Sequence, residues 1–196
     1  MTPPAIDVRA AADAEAAARQ AAAFIAQRLR AAASVRANVT LAVSGGRTAS
    51  PMLRLLAAEP LAWEHTHVVQ VDERVAPPAH PDRNAAAARA AFAAPLAAHP
   101  DNFHWMPVEG SDLAAGARDY ARALAAVAGT PPVLDVVHLG LGDDGHTASI
   151  FPGAPHLTGD VAVTEAERGW RRMTLTLPVL NRARCVVWLV VGRDKQ

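Results

Sequence analysis

Short apolar runs alternate along this chain with alanine-rich stretches of helical length. The first stretch, from about Val8 to Ala33, predicts one helix with Phe24, Ile25 and Leu29 on its apolar side. VTLAV, Val39 to Val43, is short and β-branched and predicts a strand. SGGRT breaks it, and Ser50 then offers an N-cap before Pro51 at the first position of a helix through MLRLLAA. HVVQV, His67 to Val71, predicts a second strand, ended by the proline-rich DERVAPPAHPD. A helix follows from Asn84 to about Ala98, bent or ended by Pro95, whose ring and missing N–H oppose helix continuation. Ser111 caps another to Ala128, stopped by Gly129. LDVVHL reads as the third clear strand, RMTLTLP as a strand half-exposed on one face, and CVVWLVV as a continuously buried one.

Strands separated by helices argue for an α/β fold: a single three-layer domain over residues 1–196, with a mostly parallel, Rossmann-like sheet and helices on both faces. A length of 196 residues suits one core and is short for two. Hydrophobic residues make up 51% of the chain, enough for that core, although many are alanine, which favours helices more than it fills space.

Charge narrows the function. Nineteen basic and nineteen acidic residues cancel, with no basic stripe, so no nucleic-acid partner is expected. CVVWLVV is the longest strongly apolar run and is far too short to span a bilayer, so no membrane role is expected. The N-terminal stretch lacks the apolar block of a secretion signal, and Cys185 has no second cysteine to pair with. The expectation is a soluble cytoplasmic protein, monomeric or a small homo-oligomer.

Polar clusters follow the strands. Ser44 to Thr48 follow the first, Asp72 to Arg74 the second, Asp143, Asp144 and His146 the third, and Gly192, Arg193 and Lys195 the last. In a parallel sheet these ends share one edge, where open α/β folds bind ligands. SGGRT reads equally as a tight strand-to-helix turn and as a phosphate cradle of backbone N–H groups at a helix N-terminus, with Arg47 and Thr48 adding charge and a hydroxyl. Asp72-Glu73-Arg74 reads as a solvated loop, or as an anion-holding Arg74 beside an Asp72 that accepts from hydroxyls. His146, in a glycine bend two residues from Asp144, suits a general base. His65 and His67 lack a convincing third metal ligand, His138 reads as a satisfied core histidine, and Cys185 as inert.

The motifs LAVSGGRTAS, VDERVAPPAHPDRN, LGLGDDGHTASIFPG and RMTLTLPVLNRARCVVWLVVG resemble, in succession from about Leu41 to Lys195, those of 6-phosphogluconolactonases, which share a fold class with glucosamine-6-phosphate isomerase/deaminases. The resemblance implies hydrolysis of 6-phospho-D-glucono-1,5-lactone in the oxidative pentose phosphate pathway, with no metal or cofactor. It places the phosphate on Gly45, Gly46, Arg47, Thr48 and Arg74, and makes His146 the catalytic histidine, with Asp72 as a second catalytic candidate. Asp144, Arg172 and Lys195 join the substrate site. The chain departs from the family in Arg47 where serine is common and in Ala49 where proline is common. It also lacks the family's C-terminal helix and strand, so an uncovered apolar sheet face is expected. Two rival readings stand beside this one. An amino-sugar phosphate isomerase/deaminase would carry Asp-Glu-Tyr and a carboxylate downstream of the histidine, neither present here. A sugar-phosphate-sensing module would need no base and would carry a DNA-binding helix pair.

Overall fold

The computed structural model describes residues 6–78, 80–192 and 195; Arg193 lies outside the described residues. In chain order the elements are α1 (Ala14–Ala33), β1 (Val39–Val43), α2 (Ala49–Ala57), β2 (Thr66–Gln70), β3 (Asp72–Arg74), α3 (Asn84–Ala91), α4 (Ala93–Ala98), β4 (Phe103–His104), α5 (Leu113–Ala128), β5 (Val136–Leu139), β6 (Val161–Glu167), β7 (Trp170–Leu175), α6 (Leu177–Arg182) and β8 (Val186–Trp188). Five strands form a wholly parallel sheet in the order β4-β2-β1-β5-β8. No described helix is long and apolar enough to cross a membrane.

Alternation along each strand divides the core between two faces. On one, Leu41, Val43, Val68 and Val136 pack under α1 and α2 with Ile25, Leu29, Met52 and Leu56. On the other, Ala42, Val69 and Val137 meet Tyr120 and Leu124 of α5 and Met173 and Leu175 of β7. The second layer is therefore only partly helical. A small antiparallel sheet, β3-β7-β6, completes it.

Local chemistry moves several boundaries. The α1 helix begins after Asp13, whose carboxylate accepts from Ala16 N, rather than near Val8. Phe24 of that helix is only half-buried and lies beneath the Arg9 and Arg28 guanidiniums rather than in the core. Ser50 lies inside α2, its hydroxyl donating back to Gly46 O, and Thr48 takes the N-cap position without a side-chain cap. The alanine-rich helix breaks at Phe92 because Pro95 has no N–H for the Ala91 carbonyl; the Phe92 ring turns inward and is fully buried. Asp112 rather than Ser111 caps α5. Gly129, with φ 84°, ends it.

Three sequence expectations are corrected. Asp72-Glu73-Arg74 is a strand, not a loop: β2 runs through Val71 into the second sheet. Val71 N donates to Val43 O on one side, and Leu175 N donates to Val71 O on the other. RMTLTLP is not half-exposed, since Met173 and Leu175 enter the core while Arg172 and Thr174 are covered by Ser149 and Phe151 on the opposite face. CVVWLVV is not buried on both faces. At the edge of the sheet formed by the described residues, β8 leaves Val186 and Trp188 39% and 49% exposed, and just beyond it Leu189 is buried while Val190 is 40% exposed.

Candidate active site

A crevice of about 500 Å³ opens at the carboxyl edge of the parallel sheet. Ser44 to Ala49 line it from the end of β1 and the start of α2, Arg74 from β3, Gly140 to Gly142 and His146 to Ala148 from the loop after β5, and Leu189 and Lys195 from beyond β8. The structure thus brings together Gly45, Gly46, Arg47, Thr48, Arg74, His146 and Lys195.

One end is shaped for an anion. The start of α2 carries the positive end of its dipole, and no acidic residue sits in its first turn to compete, although Ser50 N is taken by Gly46 O and Pro51 has no N–H. Gly46 adopts φ 104°, which a side chain would strain. Gly45 is needed for a different reason: a Cβ there would overlap the Asn84 side chain. Asn84 accepts from Arg74 Nη1 at 2.6 Å and donates to Asp72 Oδ1 at 3.0 Å, so one amide locks the glycine loop, the arginine and the buried carboxylate together. Arg74 Nη1 also donates to Asp82 O.

At the other end stands His146. Its Nδ1 meets Asp144 Oδ1, and its ring stacks on Phe151 at 4.7 Å between centroids. Nδ1 against a carboxylate carries the proton, which leaves Nε2 with a lone pair and no hydrogen-bond partner among the described residues. Partial burial pushes the Asp144 carboxyl up, but hydrogen bonds from the His146 ring and backbone N–H hold it down at about 2. The loop is tight: Gly142 N donates to His146 O, Thr147 Oγ1 donates to Gly140 O, and Ala148 takes φ 50°. A Cβ on Gly142 would overlap both His146 Nδ1 and Asp144 Oδ1.

Asp72 and Arg172 lie behind the wall of the crevice rather than in it. Asp72 is 4% exposed, with Oδ1 held by Asn84 and Oδ2 by the Ser149 hydroxyl at 2.8 Å. Burial pushes its carboxyl up against the opposing pull of Arg74, Ser149 and Arg172. Both Asp72 oxygens are thus engaged by protein donors. The β3–β7 ladder sets Arg172 opposite Arg74, and Arg172 Nη1 is 3.9 Å from Asp72. Burial, and then the neighbouring Arg74 charge, lower its guanidinium. Glu73, fully buried, accepts from Arg74 N, Asn84 N and Ala85 N, tying the start of α3 beneath the site.

His138 departs from the sequence reading. It is buried, but neither ring nitrogen has a hydrogen-bond partner, and burial pushes the imidazole down to about 4. His67 pairs with His104 at 3.2 Å, while His65 sits in a separate turn. Among the described residues no group of three His, Cys, Asp or Glu is placed to hold a metal. Sequence reasoning missed three residues of the site. Asn84 sits in the first turn of α3, Gly142 passes for an ordinary loop glycine, and Arg168, between β6 and β7, pairs with Asp143 and with Asp144 at 2.8 Å. Only Gly142 carried a local signal, its place in the glycine run.

A parallel α/β sheet with a helix-borne anion cradle and a carboxylate-oriented imidazole on one edge defines a protein that acts on a small phosphorylated molecule. Comparison narrows the class. Residues 12–196 match the family described as glucosamine-6-phosphate isomerases/6-phosphogluconolactonase, and the chain belongs to that family. It is 43% identical over 175 residues to a 6-phosphogluconolactonase of Synechocystis, covering 86% of this chain and 73% of the relative. It is 35% identical over 212 residues to one of Pseudomonas putida, covering 98% and 81%. Among solved structures, the 6-phosphogluconolactonase of Trypanosoma brucei superposes with a TM-score of 0.82 at 27% identity, covering 98% of this chain and 83% of that one.

Proposed function

We propose that this protein hydrolyses 6-phospho-D-glucono-1,5-lactone to 6-phosphogluconate in the oxidative pentose phosphate pathway. On this reading residues 1–196 act as one lactonase domain, in the cytoplasm, as a monomer or small homo-oligomer, without metal or cofactor. The observation that carries the reading is an imidazole held through Nδ1 by Asp144, with Nε2 unpaired among the described residues, across a crevice from an anion cradle. Its kinship with 6-phosphogluconolactonases supplies the substrate.

In this mechanism the phosphate sits on Gly45, Gly46, Arg47, Thr48 and the α2 N-terminus, with Arg74 and Lys195 adding charge. That anchoring sets the lactone carbonyl near His146 and removes most of the orientational cost of the reaction. Nε2 takes a proton from water as its oxygen bonds to the carbonyl carbon. The tetrahedral intermediate then breaks the bond to the ring oxygen, which takes the proton back from the imidazolium and leaves as a hydroxyl. Asp144 keeps the ring in the required tautomer and stabilises the imidazolium. Asp72 holds Ser149 and Asn84 in place from behind, with Arg172 Nη1 3.9 Å from its carboxylate.

The test is proton release from freshly generated lactone, with the spontaneous rate subtracted. The parent protein should accelerate it. His146→Asn should lose on the order of 10²–10⁴ in kcat with KM little changed. A variant with near-normal kcat would remove His146 from the chemistry.

A further inference from the structure

Arg168 belongs to none of the motifs that mark the site, yet it reaches the catalytic loop from a different sheet. Strands β6 and β7 are joined by Arg168 and Gly169, both at positive φ (54° and 85°), a tight hairpin turn whose twist suits the flanking strands. Arg168 is not glycine, and a side chain in that conformation is uncommon. The turn carries its guanidinium 25 residues back along the chain to Asp143 and Asp144. Two residues on, Trp170 Nε1 donates to Asp82 Oδ2 at 3.0 Å, and its ring meets His80 edge to face. Asp82 O in turn accepts from Arg74. The hairpin therefore straps the crevice, from the arginine of the anion cradle to the carboxylate that orients the imidazole.

We propose that Arg168 is a positioning residue for catalysis: it fixes Asp144 so that the carboxylate holds His146 Nδ1–H at the angle the reaction needs. The inference rests on the reading of His146 as general base. Arg168 lines the crevice, but its charge is met by two carboxylates, so it is poorly suited to compete for the substrate phosphate. Its side chain is 49% exposed, and exposed ion pairs add little to stability. An imidazole displaced by a fraction of an ångström, by contrast, loses rate steeply. Stability and turnover should therefore separate in its variants.

The experiment compares Arg168→Ala, Arg168→Lys and His146→Asn in the full chain. Its readouts are steady-state lactone hydrolysis, thermal unfolding, and the low-field proton NMR signal of an imidazole N–H, assigned to His146 by its absence in His146→Asn. Arg168→Ala should lower kcat roughly tenfold and broaden or shift that signal, with KM within about twofold and little change in Tm. Arg168→Lys should recover most of kcat. A normal kcat in Arg168→Ala beside a crippled His146→Asn overturns the positioning role alone. A raised KM with unchanged kcat also overturns it, making Arg168 a phosphate ligand instead. A normal kcat in His146→Asn overturns the general base, and the positioning role falls with it.

Discussion

Gly142→Ala adds a single methyl group where the catalytic loop has no room for one. The backbone at Gly142 is not in the left-handed region, so alanine can adopt it and the effect is purely steric. The new Cβ would lie well inside van der Waals contact of both His146 Nδ1 and Asp144 Oδ1, the two atoms that make the orienting hydrogen bond. Relieving the overlap requires the ring or the carboxylate to withdraw by about 1 Å, a displacement that costs an active site about 10²-fold. The general base itself is worth about 10²–10⁴-fold, which caps the loss. We therefore expect kcat to fall about 10²-fold. KM should hold nearly steady, because the anion cradle lies at the other end of the crevice. The loop is exposed at Asp143 to Gly145 and can yield outward, so the folding penalty should stay within about 1–3 kcal/mol. The assay is proton release from fresh lactone, run on Gly142→Ala, His146→Asn and the double variant. If the methyl acts through the imidazole, the double variant should be no slower than His146→Asn alone. A folded Gly142→Ala protein with kcat within threefold of the parent would refute the argument, as would fully multiplicative losses.

Two further predictions concern the anion cradle and the core. Inorganic sulfate or phosphate should raise Tm by mass action on the native state, and Arg74→Ala should weaken that protection while raising KM strongly; an unchanged KM would remove Arg74 from the phosphate site. His138 is held near 4 when folded against an ordinary value of 6.5, so below pH 6.5 the unfolded chain binds a proton that the folded chain refuses. Stability should therefore fall from pH 6.5 towards 4 by about 3 kcal/mol from this group, with His67 and His104, also lowered by burial, acting in the same direction. His138→Leu should flatten the fall of Tm across that window, and parallel curves for parent and variant would contradict it.

Much of this site is legible in sequence because its chemistry follows short apolar runs directly. Val39 to Val43 is a strand to the residue, and the glycines after it and after Leu139 mark the crevice. What stays hidden is non-local. Asp72 to Arg74 look like a charged loop until β7, about a hundred residues later, supplies the partner strand that buries them. The seven residues of β6 show neither a clean alternation nor an apolar run, because their pairing with β7 and not their composition makes them a strand. Arg168 has no local signature, since its partners are reached through a hairpin. Helix starts slip by a residue or more because Ser111 and Asp112 are both competent caps, and only the geometry selects Asp112.

The double duty of Val71 bears on which parts of this chain tolerate a change in length. Its peptide N–H belongs to the parallel sheet and its carbonyl to the antiparallel one, so a single residue is the seam between them. Side chains alternate faces along a strand. A one-residue insertion or deletion at the seam would therefore invert β3, turning Glu73 out from beneath α3 and carrying Arg74 away from the crevice. The largely exposed stretch from Ala154 to Thr158, beyond the catalytic loop and before β6, can lengthen or shorten without disturbing that parity. Natural length variation should accumulate there, while Gln70 to Arg74 stays fixed in count even where its individual residues change.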